Sequence, residues 1–183
     1  MVKILVTGMS GTGKSTVLEE LYRRGHETVD TDSDTWSEFV ASSEHGRSSD
    51  WVWREDRIGR LLDSHLAGVL YVAGCKSNQG RFYDRFDAVV LLSAPPETMM
   101  ERIRTRDTNP YGKSARERRQ ILDDLETVEP LLRTTSTVEL DTCRPLSEVA
   151  DDLVTLGEVL LAGGAPRVAG PDHPDGPTSA SHQ

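Results

Sequence analysis

The sequence predicts an α/β fold built on a parallel sheet, and three observations carry that prediction. Short apolar runs recur along the chain, at Val2 to Val6, His26 to Asp30, Gly68 to Cys75, Phe86 to Ser93 and Thr137 to Leu140. Stretches with helical periodicity separate most of them. The first run leads directly into a glycine-rich turn, Gly8-Met-Ser-Gly-Thr-Gly13-Lys14-Ser15-Thr16, and then into a helix.

The elements follow in order. Val2, Ile4, Leu5 and Val6 make a buried strand, and Val17, Leu18 and Leu21 recur at helical spacing before Gly25 closes the helix. A second strand ends in Asp30-Thr31-Asp32. Residues 34 to 42 read as a short helix, and Ser42 to Asp50 as a polar, mobile loop. Trp51 to about His65 reads as another helix. The third strand, Gly68 to Cys75, gives way to a polar loop, Lys76 to Arg81. Pro95-Pro96 opens a helix after the fourth strand, proline at a first turn costing no hydrogen bond. Ser114 is expected to cap one long helix reaching about Arg133, and Leu146 to Leu161 to close the fold. Residues 1–162 form one domain by this reading; 163–183, rich in Gly, Pro, Ala, Ser and Asp, are expected to be a disordered tail.

Composition narrows the function classes. At 183 residues with net charge −9, a nucleic-acid-binding surface is disfavoured, because phosphate backbones attract basic proteins. Cys75 and Cys143 stand alone, in no metal-like spacing, which points to a reducing compartment. No apolar run approaches a membrane span, so the expected location is cytoplasmic, with neither membrane nor nucleic acid as partner.

The glycine-rich turn matches G-x-x-x-x-G-K-[ST] through Gly8, Gly13, Lys14 and Ser15. Glycines at 8, 11 and 13 let backbone N–H groups wrap a phosphate, with Ser10, Thr12 and Thr16 in the same cradle. The helix that follows turns its positive end toward the anion. Lys14 reaches the β- and γ-phosphates, and the Ser15 hydroxyl is a ligand for Mg²⁺. The acidic strand end offers Asp30 to the metal and Asp32 to an acceptor hydroxyl; the alternative is that Ser33 or Asp34 simply caps the next helix.

Three further features suggest a second substrate. Trp51 and Trp53 precede Arg54, Arg57 and Arg60, which recur every third residue, and such a stripe can hold an anionic or ring-shaped acceptor. A solvated helix face with packed tryptophans explains the same spacing. Gly74 and Asn78 sit at and just after a ligand-side strand end, where an ordinary turn is the alternative. The basic segment Arg102 to Lys113, broken at Asn109-Pro110 and Tyr111-Gly112, suits a lid closing over a triphosphate, with a basic helix end as the bland reading.

Over residues 1 to 160 these motifs resemble the P-loop kinases of the nucleoside monophosphate kinase, shikimate kinase and gluconate kinase type. The resemblance implies a three-layer P-loop NTPase fold with a five-stranded parallel sheet of order 2-3-1-4-5. It also implies a lid after the fourth strand and an acceptor region after the second. It places Asp30 and Asp32 at metal and acceptor positions, Arg57 or else Arg54 on the acceptor, and Gly74 at the glycine-rich strand end. Arg104-Thr105 falls where an arginine packs on adenine, with the turn Asp141 to Pro145, and so Arg144, on the other side of the base. Asn109-Pro110 stands where shikimate kinases carry Arg-Pro, so Arg106, Lys113 or Arg116 must supply the lid cation.

The expectation is therefore an ATP- and Mg²⁺-dependent phosphotransferase acting on a small hydroxylated metabolite. Lys14, Asp32 and Arg106 are its expected catalytic residues. Its rivals are a nucleoside or nucleotide monophosphate kinase and, from another class, a nucleotide-binding regulatory protein with little turnover. Oligomeric state is left open.

Overall fold

A computed structural model describes residues 1–41 and 49–165. Its main sheet has five parallel strands: β1 (Val2–Thr7), β2 (Glu27–Asp30), β5 (Val69–Ala73), β6 (Ala88–Ser93) and β7 (Val138–Asp141). They lie in the order β2-β5-β1-β6-β7. Counting only these strands in chain order, that is 2-3-1-4-5, as expected. Two shorter strands, β3 (Ser37–Ala41) and β4 (Ser49–Trp53), form a separate antiparallel pair.

The sheet is covered on both faces, so its central strands run apolar through consecutive positions, as at Ile4 to Val6 of β1, Val69 to Ala73 of β5 and Ala88 to Leu92 of β6, and not at alternate ones. Along β1, Ile4 and Val6 face helices α1 (Lys14–Arg23) and α6 (Leu146–Leu161), packing with Leu18, Leu21, Ala150 and Leu153. Leu5 faces the other way, into a cluster of Trp53, Phe82 and Phe86 with Ile58 and Leu62 of α2 (Glu55–Ser64). A third cluster sits beyond the carboxyl ends of the strands. It joins Met9 of the glycine-rich turn to Met99 and Ile103 of α3 (Pro96–Thr105), Ile121 of α4 (Ala115–Thr127) and Leu132 of α5 (Glu129–Thr135). The turn therefore rests on packed apolar groups.

Three expectations are corrected. Residues 34 to 42 are not a helix: after a turn in which Trp36 and Ser37 N–H donate to Ser33 O, residues 37–41 are strand β3. Phe39 and Val40 favour extended backbone, and pairing with β4 fixes it. The helix expected from Trp51 begins at Glu55; Trp51 and Trp53 alternate on one face of β4 with period two. The long helix from Ser114 is two helices. Pro130 lacks the N–H that would continue α4, and the chain restarts as α5 at Glu129. Ser114 does cap α4, in a reciprocal box with Glu117. Of the polar stretch 42–50, residues 42–48 lie outside the described residues, as do residues 166–183 of the expected tail. No helix among the described residues is long and apolar enough to cross a membrane.

Candidate active site

The glycine-rich turn leaves β1 and enters α1 through Gly8, Gly11 and Gly13, at φ 144°, 90° and 92°. Gly8 is forced by space as well as by φ. A Cβ there would lie 2.3 Å from Leu92 O and 2.9 Å from Thr12 Oγ1. Thr12 is fully buried and braces the turn by donating to Met9 O at 2.9 Å. Gly13 caps α1 without a side-chain hydrogen bond, so the first-turn N–H groups are left for an anion. The Lys14 ammonium folds back over the turn, donating to Gly8 O at 2.6 Å and Met9 O at 3.1 Å.

At the end of β2 the acidic pair divides its work. Ser15 Oγ donates to Asp30 Oδ2 at 2.6 Å, and Asp30 Oδ1 accepts from Asp32 N–H at 3.0 Å. A hydroxyl and a carboxylate side by side fit Mg²⁺, which takes few protein oxygens and completes its shell with water and phosphate. Among the described residues no cluster of three or more His, Cys, Asp or Glu could form an all-protein metal cage. Asp32 pairs instead with Lys76. Desolvation in the cleft pushes the Asp32 carboxyl up, but the charges of Lys14, Lys76 and Arg106 outweigh it and hold the group below the usual carboxylate range.

A cleft of about 460 Å³ opens over the turn. Asp32, Arg102, Arg106, Thr142 and Arg144 line it together with residues 10–17 of the turn and α1. Arg106 donates through Nη2 to Ser10 Oγ at 3.2 Å and to Tyr111 O at 2.7 Å, tying the lid segment to the turn. Its Nε is buried with no hydrogen-bond partner among the described residues. Burial lowers its guanidinium from the ordinary value, while the Asp32 charge acts in the opposite sense. Of the three lid candidates, Arg106 alone lines this cleft. Lys113 instead donates to the carbonyls of Arg104 and Arg106, at 2.9 and 2.5 Å.

Arg104, which the resemblance places on adenine, and its neighbour Arg102 face different ways. Arg104 pairs with Glu101 on the outer side of α3 and is absent from the cleft lining. Arg102 faces inward, donating to Thr142 Oγ1 at 2.8 Å, Thr142 O at 2.6 Å and Gly11 O at 3.4 Å. Residues 102 and 106 are four apart on or beside one helix and share a face, whereas 104 does not. That phase was the available signal for Arg102. Arg144 lines the cleft as expected and pairs with Asp152.

Of the residues expected to bind the acceptor, Arg54, Arg57, Asn78 and Gly74 each have close protein neighbours. Arg54 donates to Asp34 O at 3.1 Å and pairs with Glu38 at 2.9 Å; Arg57 donates to Thr35 O at 2.6 Å. Both secure the β2–β3 connection against α2. Asn78 completes the end of β4, accepting from Trp53 N–H at 2.9 Å and donating to Trp53 O at 3.0 Å. At Gly74 a Cβ would lie 2.3 Å from Thr31 Oγ1 and 3.1 Å from the Trp53 indole, whose Nε1 donates to that hydroxyl at 2.7 Å. The glycine thus makes room for Thr31 and Trp53. Gln79, expected only as one of the amide groups of the polar loop 76–81, is buried: its Oε1 accepts from Lys76 N–H at 3.2 Å, and its Nε2 donates to Thr7 Oγ1 at 3.2 Å. It thereby joins the loop after β5 to the end of β1.

The sheet order, the glycine-rich turn and the lid define a P-loop fold of the shikimate kinase and nucleoside monophosphate kinase type. A family model described as an AAA domain matches residues 4–123, and the chain belongs to that family. A relative from Delftia acidovorans (strain DSM 14801 / SPH-1), called a nucleotide-binding protein, is 32% identical over 133 residues. That match takes in 70% of this chain and 42% of the relative, so the chain spans less than half of that protein's length. Among solved structures, shikimate kinase from Bacteroides thetaiotaomicron is similar with a TM-score of 0.61 at 20% identity, over 86% of this chain and 98% of that one. Shikimate kinase from Acinetobacter baumannii, solved with shikimate, gives a TM-score of 0.58 at 22% identity, over 89% and 94%. At these identities the likeness is one of fold.

Proposed function

We propose that the protein is an ATP- and Mg²⁺-dependent phosphotransferase that acts on a small hydroxylated metabolite. The observation that carries this reading is the convergence of Lys14, Arg106 and Asp32 on one cleft: Arg106 reaches Ser10 of the turn, and both cations act on the Asp32 carboxylate. ATP supplies the γ-phosphoryl group, and Ser15 and Asp30 would hold a Mg²⁺ that would offset phosphate charge. The first-turn N–H groups of α1 bind the phosphates, and Lys14 exchanges its carbonyl partners for phosphate oxygens. Arg106, with a buried Nε lacking a partner among the described residues, has a donor left for the transferring group. Asp32, held ionised, accepts the proton of the acceptor hydroxyl. Arg102 and Arg144 flank the base.

The similarity to two shikimate kinases supports an acceptor that is small and hydroxylated. The Delftia relative, described only as nucleotide-binding, favours a second reading: a nucleotide-binding regulatory protein with little turnover. ADP release across a broad acceptor panel separates them. The kinase reading expects acceptor-dependent ADP release by the wild type and none by Lys14→Ala; equal ATP consumption by both proteins would end the catalytic claim.

A further inference from the structure

We propose that Lys76 is the anion anchor of the acceptor site and selects acceptors that carry a negative group beside the reactive hydroxyl. This rests on the phosphotransfer reading above. Four observations lead to it. Arg54 and Arg57, the arginines nearest in sequence to an acceptor role, hold Asp34, Glu38 and Thr35. Lys76 replaces them in charge: its side chain is only 6% exposed and its ammonium contacts Asp32.

An ammonium has three donors. Among the described residues, Asp32 Oδ1 is the one hydrogen-bond acceptor of the Lys76 ammonium; the Trp51 ring lies 5.8 Å from Nζ and takes no N–H in a hydrogen bond. Two donors of a nearly buried cation therefore lack acceptors among the described residues, and buried donors are satisfied by protein, water or ligand. Asp32 is in the complementary state, since Lys76 occupies Oδ1 and, among the described residues, no hydrogen bond reaches Oδ2. The pair thus offers one acceptor and two donors side by side. A hydroxyl donating to Asp32 and an adjacent carboxylate or phosphate accepting from Lys76 match that array, and a neutral polyol fills only the first half.

Charge agrees with geometry. The Asp32 carboxylate is compensated by Lys14 and Arg106 as well as by Lys76, so an acceptor anion can share Lys76 without leaving Asp32 uncompensated. Beyond Lys76 the inner face of the hairpin runs from buried Ser37 and Trp53 to Trp51 and then to Phe39, which is 72% exposed. Phe39 and Trp51 are directly paired, their rings 4.5 Å apart. This ledge gives the carbon frame of such an acceptor an apolar rest.

The test uses two chemically matched series: sorbitol, gluconate and sorbitol 6-phosphate, and a nucleoside with its 5′-monophosphate. Each is titrated into full-length protein with ADP and Mg²⁺, read by calorimetry and tryptophan fluorescence, and then assayed with ATP for ADP release. Wild type is expected to bind at least one anionic member more tightly than its neutral counterpart. Lys76→Met should weaken that anion roughly 10- to 100-fold while leaving the neutral compound and the KM for ATP within about threefold. Lys76→Arg should restore most of the preference. Which anion binds, carboxylate or phosphate, identifies the group selected. Equal weakening of neutral and anionic members, or no saturable binding of any anion by wild type, overturns the inference. Anion binding that is sensitive to Lys76→Met but yields no ADP upholds the anchor and contradicts only the phosphotransfer reading.

Discussion

The two sides of the cleft use their cations in opposite ways. On the nucleotide side, Lys14, Arg102, Arg106 and Arg144 all line the opening, and their protein partners are mostly backbone or hydroxyl oxygens of the turn, the lid and the 141–145 turn. Such contacts cost about 1 kcal/mol each to exchange for a phosphate oxygen, so the cations are available. On the proposed acceptor side, outside the cleft lining itself, Arg54 and Arg57 tie a hairpin to a helix, and the cation beside Asp32 is Lys76, its Nζ 5.8 Å from the Trp51 ring. A basic residue near a site is informative only once its existing partners are known.

Breaking the nucleotide side should remove chemistry and spare the fold. Lys14→Ala is expected to lower kcat by about a thousandfold, the scale of losing a main electrostatic stabiliser, with Tm almost unchanged because only two carbonyl contacts are lost. Steady-state kinetics beside a thermal melt checks both halves. The acceptor side should fail in the reverse manner. Gly74→Ala pushes a methyl into Thr31 and Trp53 and is expected to destabilise by about 2 kcal/mol, measured by urea unfolding. A Gly74→Ala protein as stable as wild type would mean that the Trp53 packing described above is wrong.

Smaller effects sharpen the contrast within a single helix. Arg102→Ala should weaken ADP binding about tenfold, since Arg102 bridges the turn at Gly11 and the base-side turn at Thr142. Arg104→Ala, which loses only an exposed pair with Glu101, should leave ADP affinity unchanged by calorimetry. Modest effects on stability are expected for Arg54→Ala and Arg57→Ala. Each is expected to cost about 1 kcal/mol of stability through its lost carbonyl contact, and to affect neutral and anionic acceptors alike.

The nucleotide side was legible in the sequence because its instructions are contiguous. Gly8 to Thr16 specify strand exit, turn and helix entry within one window, and the closing helix Leu146 to Leu161 was read to the residue from its own periodicity. The acceptor side depends on pairings across distance. β3 exists because residues 37–41 meet residues 49–53, and the extended preference of Phe39 and Val40 is fixed only by that pairing. Lys76 finds Asp32 across 44 positions of sequence, and only the β2–β5 pairing, Asp30 opposite Ala73, brings them together. Arg57 looked free because the carbonyl it holds, Thr35 O, belongs to a segment whose path was unknown. The orientations of Arg102 and Arg104 are different: the helical phase of residues 99 to 106 already sets Arg102 toward the cleft and Arg104 away from it.

The central claim is that this cleft moves a phosphoryl group from ATP to an acceptor hydroxyl through Lys14, Arg106 and Asp32. Phosphorus NMR of ATP and Mg²⁺ with each acceptor series, comparing wild type with Asp32→Asn, tests it most directly. The prediction is a new phosphomonoester resonance that grows in step with ADP, requires both acceptor and wild-type Asp32, and fades by about a hundredfold in rate in the variant. ATP that stays intact with every acceptor, or that yields only inorganic phosphate at the same rate in both proteins, would contradict it.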